Sequence, residues 1–427
     1  MQCLQLRCNK HPVAAGHLII PKLYLKQEAM WKKAILIVLI CITARGAGIA
    51  QEASSMYHYD PTFTIDRSNF VDTIPIIYEN SQVYLTLNIN GKPHLFNLDT
   101  GSSQGVLYEG EQIEYSEPLG YIDTRDANGG IDTIPMVRFP DFDLGHLHIT
   151  SYKGIRQKRA KGRYRYDGII GFDLFNRGLQ AKIDTKRGYL IVTDKKHYFD
   201  KEPGFELKYK LQRWVPYLRL NTFLNHEEPT LFDTGAEDLY AFNKESFDTE
   251  RYKDARVVSL IEETTNGQWA IGSFGAEKSA LMFYIHLDHL GWGNFSFRDI
   301  HTLTTQGDSR LGGEILKYGT FVINPKRKRI KFWSYTGGDS VTVSNEMVDI
   351  TYVPVDGRPV VGTIRHRSKQ YAAGFRQGDI ITSINGTKIS TMADFQGYHF
   401  VKGERYTFGL HSTRGFDKEV TIEDWGK

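Results

Sequence analysis

"FNLDTGSSQGVLY", residues 96–108, decides the reading of the fold, because "TLFDTGAEDLYAF", residues 230–242, repeats it. Each is an apolar, strand-like run that ends in Asp-Thr-Gly, at Asp99 and at Asp233. Asp-Thr alone says little, since the pair occurs at seven places. Only these two continue into Gly, and they stand 134 residues apart, about one domain length.

The flanks repeat as well. In "NSQVYLTLNINGKPHLFNLDTGSS", Val83, Leu85, Leu87 and Ile89 alternate with polar residues, as in a half-buried strand. Asn90-Gly91 predicts a hairpin, and the next strand delivers Asp99. "YLRLNTFLNHEEPTLFDTGAE" does the same for Asp233. "DFDLGHLHI" is matched by "HLDHLGWGNFSF", and Ile169-Ile170-Gly171 by Arg310-Leu311-Gly312. "KIDTKRGYLIV" is matched by "VINPKRKRIKF". "DLFNRG" and "EILKYG" predict a short helix after each Gly. The pattern is an internal duplication, mainly β, with lobes over 64–198 and 206–335.

Beyond Trp333 the character changes. Residues 336–344 read as a polar linker, and 345–427 as a small α+β module. Thr391 and Asp394 have the spacing of a helix-capping box.

Two carboxylates brought together by a duplication can activate water. One, ionised, takes a proton; the other, protonated, donates to a carbonyl. Like charges a few ångströms apart cannot both ionise, so one proton is shared and the pair titrates as a unit. The neighbours suit this task. Gly101 and Gly235 permit a sharp turn, with backbone N–H groups close to the carboxylate. Thr100 and Thr234 offer hydroxyls to cross-link the two loops. The Ser102 hydroxyl is expected on its own carboxylate, where Ala236 offers none.

On these residues, residues 64–335 resemble the pepsin and retropepsin group of aspartic proteases. The match is Asp99-Thr100-Gly101-Ser102 and Asp233-Thr234-Gly235-Ala236, with Ile169-Ile170-Gly171 and Arg310-Leu311-Gly312 as the stretches that thread behind the catalytic loops. The resemblance implies an endopeptidase with Asp99 and Asp233 as catalytic pair, a peptide or protein substrate, and no cofactor. It also implies a flap, whose tip is expected at Asn128-Gly129-Gly130. Two departures stand out. No Tyr-Gly occurs near that tip, and Arg310 replaces an apolar buttress residue. A non-catalytic peptide-binding envelope protein on the same fold is the alternative.

Residues 345–427 resemble a PDZ domain of the kind appended to secreted bacterial proteases. The match is Ala373-Gly374-Phe375, Gly378-Asp379-Ile380-Ile381 and Ile384-Asn385-Gly386. The resemblance implies that a peptide C-terminus adds as a strand along "DGRPVVGTI", with Gly357, Val360, Val361 and Gly362 lining the site.

Charge and cysteine placement bear on the cellular context. The net charge is +3, but residues 1–50 hold seven Lys and Arg against Glu28 alone. They account for +6, and residues 51–427 carry −3. Met30-Trp31-Lys32-Lys33, then "AILIVLICI", then "GIA" before Gln51 have the pattern of a secretory signal. Met30 is the expected start, and the nine-residue apolar run is too short for a membrane span. Ile40 disfavours lipidation of Cys41. The expected destination is the periplasm or the medium, with no membrane span after cleavage. Cys3, Cys8 and Cys41 all precede that cleavage, so a mature chain has no disulfide, thiol nucleophile or Cys metal site. The basic run 153–165 reads as a solvated loop and "PKRKR" at 325–329 as a hairpin turn, so no nucleic-acid partner is expected. His146 and His148 share a strand face without further ligands, so no metal is expected.

Overall fold

Val71–Glu79 (β1) and Gln82–Ile89 (β2) pair as a hairpin. In β2, Val83, Leu85, Leu87 and Ile89 are buried, while Thr86 and Asn88 face solvent. Asn90 and Gly91, both at positive φ (51° and 74°), turn the chain into Lys92–Leu98 (β3). A two-residue hairpin turn needs that conformation at both positions. Gly105–Tyr108 (β4) follows the first Asp-Thr-Gly, and Gly120–Arg125 (β5) and Ile131–Arg138 (β6) make a further hairpin. Gly168–Ile170 (β7) then threads between β3 and β4. It is parallel to β3, with Ile170 opposite Leu98, and antiparallel to β4, with Ile169 opposite Val106. A short helix, Asp173–Asn176, leads to the hairpin of Gln180–Asp184 (β8) and Tyr189–Thr193 (β9).

The second lobe follows the same plan. Val215–Phe223 (β10) and His226–Asp233 (β11) form its hairpin, and Tyr240–Asn243 (β12) leads into the helix Lys244–Lys253 (α1). The Asn243 side chain caps that helix by accepting from the Ser246 N–H. Ile261–Gly267 (β13), a miniature hairpin of Ile271–Gly272 (β14) and Gly275–Ala276 (β15), and the long pair Ala280–Trp292 (β16) and Phe295–Thr305 (β17) follow. Arg310–Gly312 (β18) threads between β11 and β12, as β7 does in the first lobe. After a 3-10 turn at Gly313–Lys317 come Gly319–Asn324 (β19) and Arg329–Ser334 (β20). Both Gly-containing stretches are thus followed by a short helical turn, as the sequence predicts.

Backbone pairing joins the lobes. Ile183 in β8 sits opposite Phe321 in β19, so one sheet runs from β20 through β19, β8, β9 and β1 into the first lobe. One apolar core spans the junction, with the Phe232 and Phe321 rings 5.3 Å apart. Burying each such ring stabilises the fold by ~2–3 kcal/mol.

The C-terminal sheet is ordered Ile350–Val355 (β21), Arg358–Ile364 (β22), Ile380–Ile384 (β23), Arg405–His411 (β24) and Asp417–Glu423 (β25). The helices Lys369–Ala373 (α2) and Met392–Gly397 (α3) accompany it, and Thr391 and Asp394 form the expected capping box at α3. Val361, Phe375, Ile381 and Phe408 belong to a core of its own.

One expectation needs correction. Residues 336–344 are not only linker, since Ser340–Thr342 pairs in parallel with β17, Phe297 opposite Val341. The cause is visible in "SVTV": Val341 and Val343 pack against the main core, which ties the segment down.

These features come from a computed structural model, which describes residues 60, 62–110, 113–158, 166–223, 226–401 and 403–423. They fall in the compact unit Met56–Lys427. The leader and its signal, and most of the basic run 153–165, lie outside the described residues. Among the described residues no helix is long and apolar enough to cross a membrane.

Candidate active site

β3 and β11 end side by side at the junction of the lobes, and the two Asp-Thr-Gly loops face each other there. The Thr100 hydroxyl donates to the Phe232 carbonyl and the Thr234 hydroxyl to the Leu98 carbonyl, each at 2.6 Å. Each hydroxyl also accepts the other threonine's N–H, at 3.1 and 3.0 Å. Both threonines are fully buried. The expected cross-link is therefore a closed set of four hydrogen bonds.

The glycines seat the carboxyls across the junction. A Cβ on Gly101 would fall 2.5 Å from Asp233 Cγ, and one on Gly235 would collide with Asp99 Cγ. Any side chain at either position would fill the space of the opposite carboxyl. The Gly101 and Ser102 N–H groups donate to Asp99 Oδ1 (2.8 and 3.1 Å), and the Gly235 N–H to Asp233 Oδ1 (3.1 Å). The Ser102 hydroxyl does not reach the carboxylate as expected. It donates to the Gln104 carbonyl at 2.7 Å, and only its backbone serves Asp99.

The two carboxyls face each other closely enough to share a proton. Burial, then the Asp233 charge, push Asp99 well above the usual carboxylate range. Burial raises Asp233 too, opposed by the Arg310 guanidinium and by the hydrogen bond from Asp99. Asp99 keeps partial exposure, whereas Asp233 is 7% exposed. A proton held between two carboxyls, with one partly open, is what activation of a water requires.

The threaded strands support the loops from behind. The Asp99 N–H donates to the Ile170 carbonyl (3.0 Å), and the Phe172 N–H to the Ser102 carbonyl (2.7 Å). On the other side the Gly313 N–H donates to the Ala236 carbonyl (2.7 Å), and Gly312 lies too close to the Asp238 carbonyl to carry a side chain.

Asn128, Gly129 and Gly130 lie at the tip of the β5–β6 hairpin, as expected. Asp126 shapes that tip: its Oδ1 accepts from the N–H groups of Asn128 (3.1 Å) and Gly130 (2.7 Å). Gly129, at φ 83°, takes the left-handed position. The tip meets a second hairpin that the sequence reading missed, β14–β15. Asn128 Nδ2 donates to the Ala270 carbonyl (3.0 Å), and the Phe274 N–H donates to Asp126 Oδ2 (3.1 Å). The signal was "IGSFGA", a turn between two glycines at the matching place in the second lobe.

The expected peptide site on the module is arranged differently. β22 is an interior strand, paired with β21 along its length and with β23 at Val360. Val361 exchanges hydrogen bonds with Asp379 and Gly378, and the Gly362 carbonyl accepts the Gln268 N–H at 3.1 Å. Gly357 takes the turn before β22 at φ 77°, and its carbonyl accepts the Met392 N–H. A peptide laid beside Val360, Val361 and Gly362 would have to displace these partners. Among the described residues, the edge of this sheet next to β22 that pairs with no further strand is β21.

His146 and His148 are bound separately, to Asp72 and Asp143, each at 2.7 Å, and do not converge. Among the described residues a different group gathers His286, Asp299 and His301. The two imidazoles stack face to face, 4.4 Å apart and 15° from parallel. Rings that share an ion must both aim a nitrogen lone pair at it within their planes. Stacked rings aim theirs side by side, so the group fits a metal poorly.

No protein-family model matches the chain, and none of the curated proteins does. Among solved structures the chain is similar to the aspartic proteinase from Irpex lacteus. The identity is 12% and the TM-score 0.41, over 65% of this chain and all of that one.

Proposed function

We propose that this protein is an aspartic endopeptidase. A water held between Asp99 and Asp233 gives a proton to one carboxylate while the other carboxyl donates to the scissile carbonyl, and the β5–β6 hairpin closes over the bound peptide. The observation that carries the reading is the mutual seating of the carboxyls, each in the space left by the other loop's glycine. A turn motif with no chemical role has no need to exclude a Cβ from that place. Peptide-library cleavage by the purified protein, lost in Asp99→Asn, tests it. Binding of the same peptides with no cleavage at any pH would favour the non-catalytic alternative.

The C-terminal module is proposed to bind a peptide or protein partner, with β21 as the edge for an added strand. Export through the N-terminal signal, to a bacterial envelope or medium, completes the reading. N-terminal sequencing of the exported protein, expected to begin near Gln51, checks it.

A further inference from the structure

The second lobe carries a buried cation beside the carboxyl pair. Arg310 holds the place in β18 that Ile169 holds in β7. β18 runs beside β11 with Arg310 opposite Leu231 and Gly312 opposite Asp233. Side chains on paired strands alternate in step, so Arg310 leaves the sheet on the face of Leu231 and Asp233. Leu311 goes the other way, with Phe232, into the core. Arg310 is 6% exposed, and its guanidinium lies 5.4 Å from the centroid of the Trp269 ring. Its Nε is 3.5 Å from Asp238 Oδ1, and among the described residues neither that Nε nor Asp238 Oδ2 has a partner within good hydrogen-bond geometry. The contact is an ion pair without a well-formed hydrogen bond at Nε, and the same guanidinium also acts on Asp233. A buried charge is costly, so its place on the face of Asp233 calls for a reason.

The loops alone bias the pair the other way. Asp99 receives two backbone N–H groups and Asp233 one, which favours the negative charge on Asp99. We propose that Arg310 is a positioning residue that keeps the negative charge of the pair on Asp233 and the shared proton on Asp99. This rests on the peptidase reading and assigns its roles. Asp233 takes the proton of the attacking water. Asp99 gives its own to the carbonyl oxygen as the new C–O bond forms and the carbonyl π bond breaks.

The charged groups around Arg310 are Asp238 from the β11–β12 loop, Asp233, and Glu277 from the β15–β16 loop. Glu277 is committed to the N–H groups of Trp269, Ala270 and Gln306 and to the Thr305 hydroxyl. On the neighbouring segments, Glu228 in β11 accepts from Ser246 and Ser309, and Asp308, just before β18, from Arg213 and Tyr217.

The test is the titration of the pair, followed by carbon-13 NMR of Asp carboxyls in the full chain and assigned with Asp99→Asn and Asp233→Asn. The acidic limb of kcat/KM is measured alongside. Arg310→Leu is expected to raise the lower apparent pKa by a unit or more, a tenfold or greater gain in proton affinity. Arg310→Lys should raise it less, and Asp238→Asn should lower it by unmasking the guanidinium. A folded Arg310→Leu protein with an unmoved titration overturns the proposal, as does an equal shift in the Leu and Lys variants. If the Leu variant does not fold, opposite shifts in Arg310→Lys and Asp238→Asn support it, and shifts of the same sign overturn it. A wild type that cleaves nothing while the carboxyls titrate as expected removes the peptidase reading and leaves the charge assignment standing.

Discussion

Thr100 and Thr234 each give a hydroxyl proton to the other lobe's backbone and each accept the other's N–H. The two loops are therefore held at one spacing by groups that have no alternative partner in a dry environment. Thr100→Val removes a donor and an acceptor at once, leaving the Phe232 carbonyl and the Thr234 N–H buried and unsatisfied. The expected loss is about 2–4 kcal/mol in denaturant unfolding. Thr100→Ser keeps both bonds and should lose less than about 1 kcal/mol. Because the four bonds form one set, the Thr100→Val/Thr234→Val double variant should lose less than the sum of the singles.

Asp99→Asn and Asp233→Asn should each lower peptide cleavage by about a thousandfold or more, and the double variant should be scarcely worse than either. An amide neither takes the proton nor holds one to give. Shape is conserved, so unfolding temperature should hold or rise as the repulsion between the carboxyls disappears. Either single variant cleaving at near wild-type rate, in a preparation free of contaminating protease, would sink the dyad.

The two Asp-Thr-Gly loops and the β-rich fold were legible in the sequence because the constraints on them are local. Each aspartate needs an apolar strand before it and a glycine after it, and both leave marks within six residues. The capping box at Thr391 was readable for the same reason. What was not legible depends on distant partners. The β14–β15 hairpin matters through Asn128, which reaches Ala270 across 142 residues. Whether β22 is an edge strand depends on Ile380 and Gln268, not on its own alternation. Arg310 was visible only as a departure from an apolar pattern, and its burial under Trp269 could not be read from one chain. The Ser102 hydroxyl goes to the Gln104 carbonyl, a partner two residues on that the residue type alone does not announce.

The tip of the β5–β6 hairpin hangs on one carboxylate. Asp126 holds its own turn through Asn128 and Gly130 and holds the second hairpin through Phe274. Asp126→Ala should free the tip and raise proteolytic nicking at 126–130. KM should rise by about tenfold if one to two kcal/mol of closure is lost. Unchanged nicking and KM would show that the two tips hold without this residue.

Asp173 stands behind the first loop, one residue beyond Phe172, and burial pushes its carboxyl up to about 7. Unfolded, it ionises near 4. Between those values the folded chain keeps a proton that the unfolded chain releases. This residue therefore favours folding fully below about pH 4, and its contribution is lost as pH rises through 7. Asp173→Asn should abolish that slope and gain on the order of 2–4 kcal/mol at pH 8 relative to pH 4. Parallel stability curves for the two proteins across that range would refute the assignment.

The contact of Gly362 with Gln268 has a consequence for how the chain comes apart. The Tyr284 and Thr363 hydroxyls lie 3.3 Å apart, and Met347 packs against the Met282–Tyr284–Leu303 cluster. Glu263 accepts the His366 N–H and pairs with Arg365. A chain cut at residue 345 would uncover the aromatic face of β16 and strand a carboxylate that is now nearly buried. The second lobe and the module therefore belong to one cooperative unit of unfolding. Truncation changes the second lobe itself and is a poor control for the module's role.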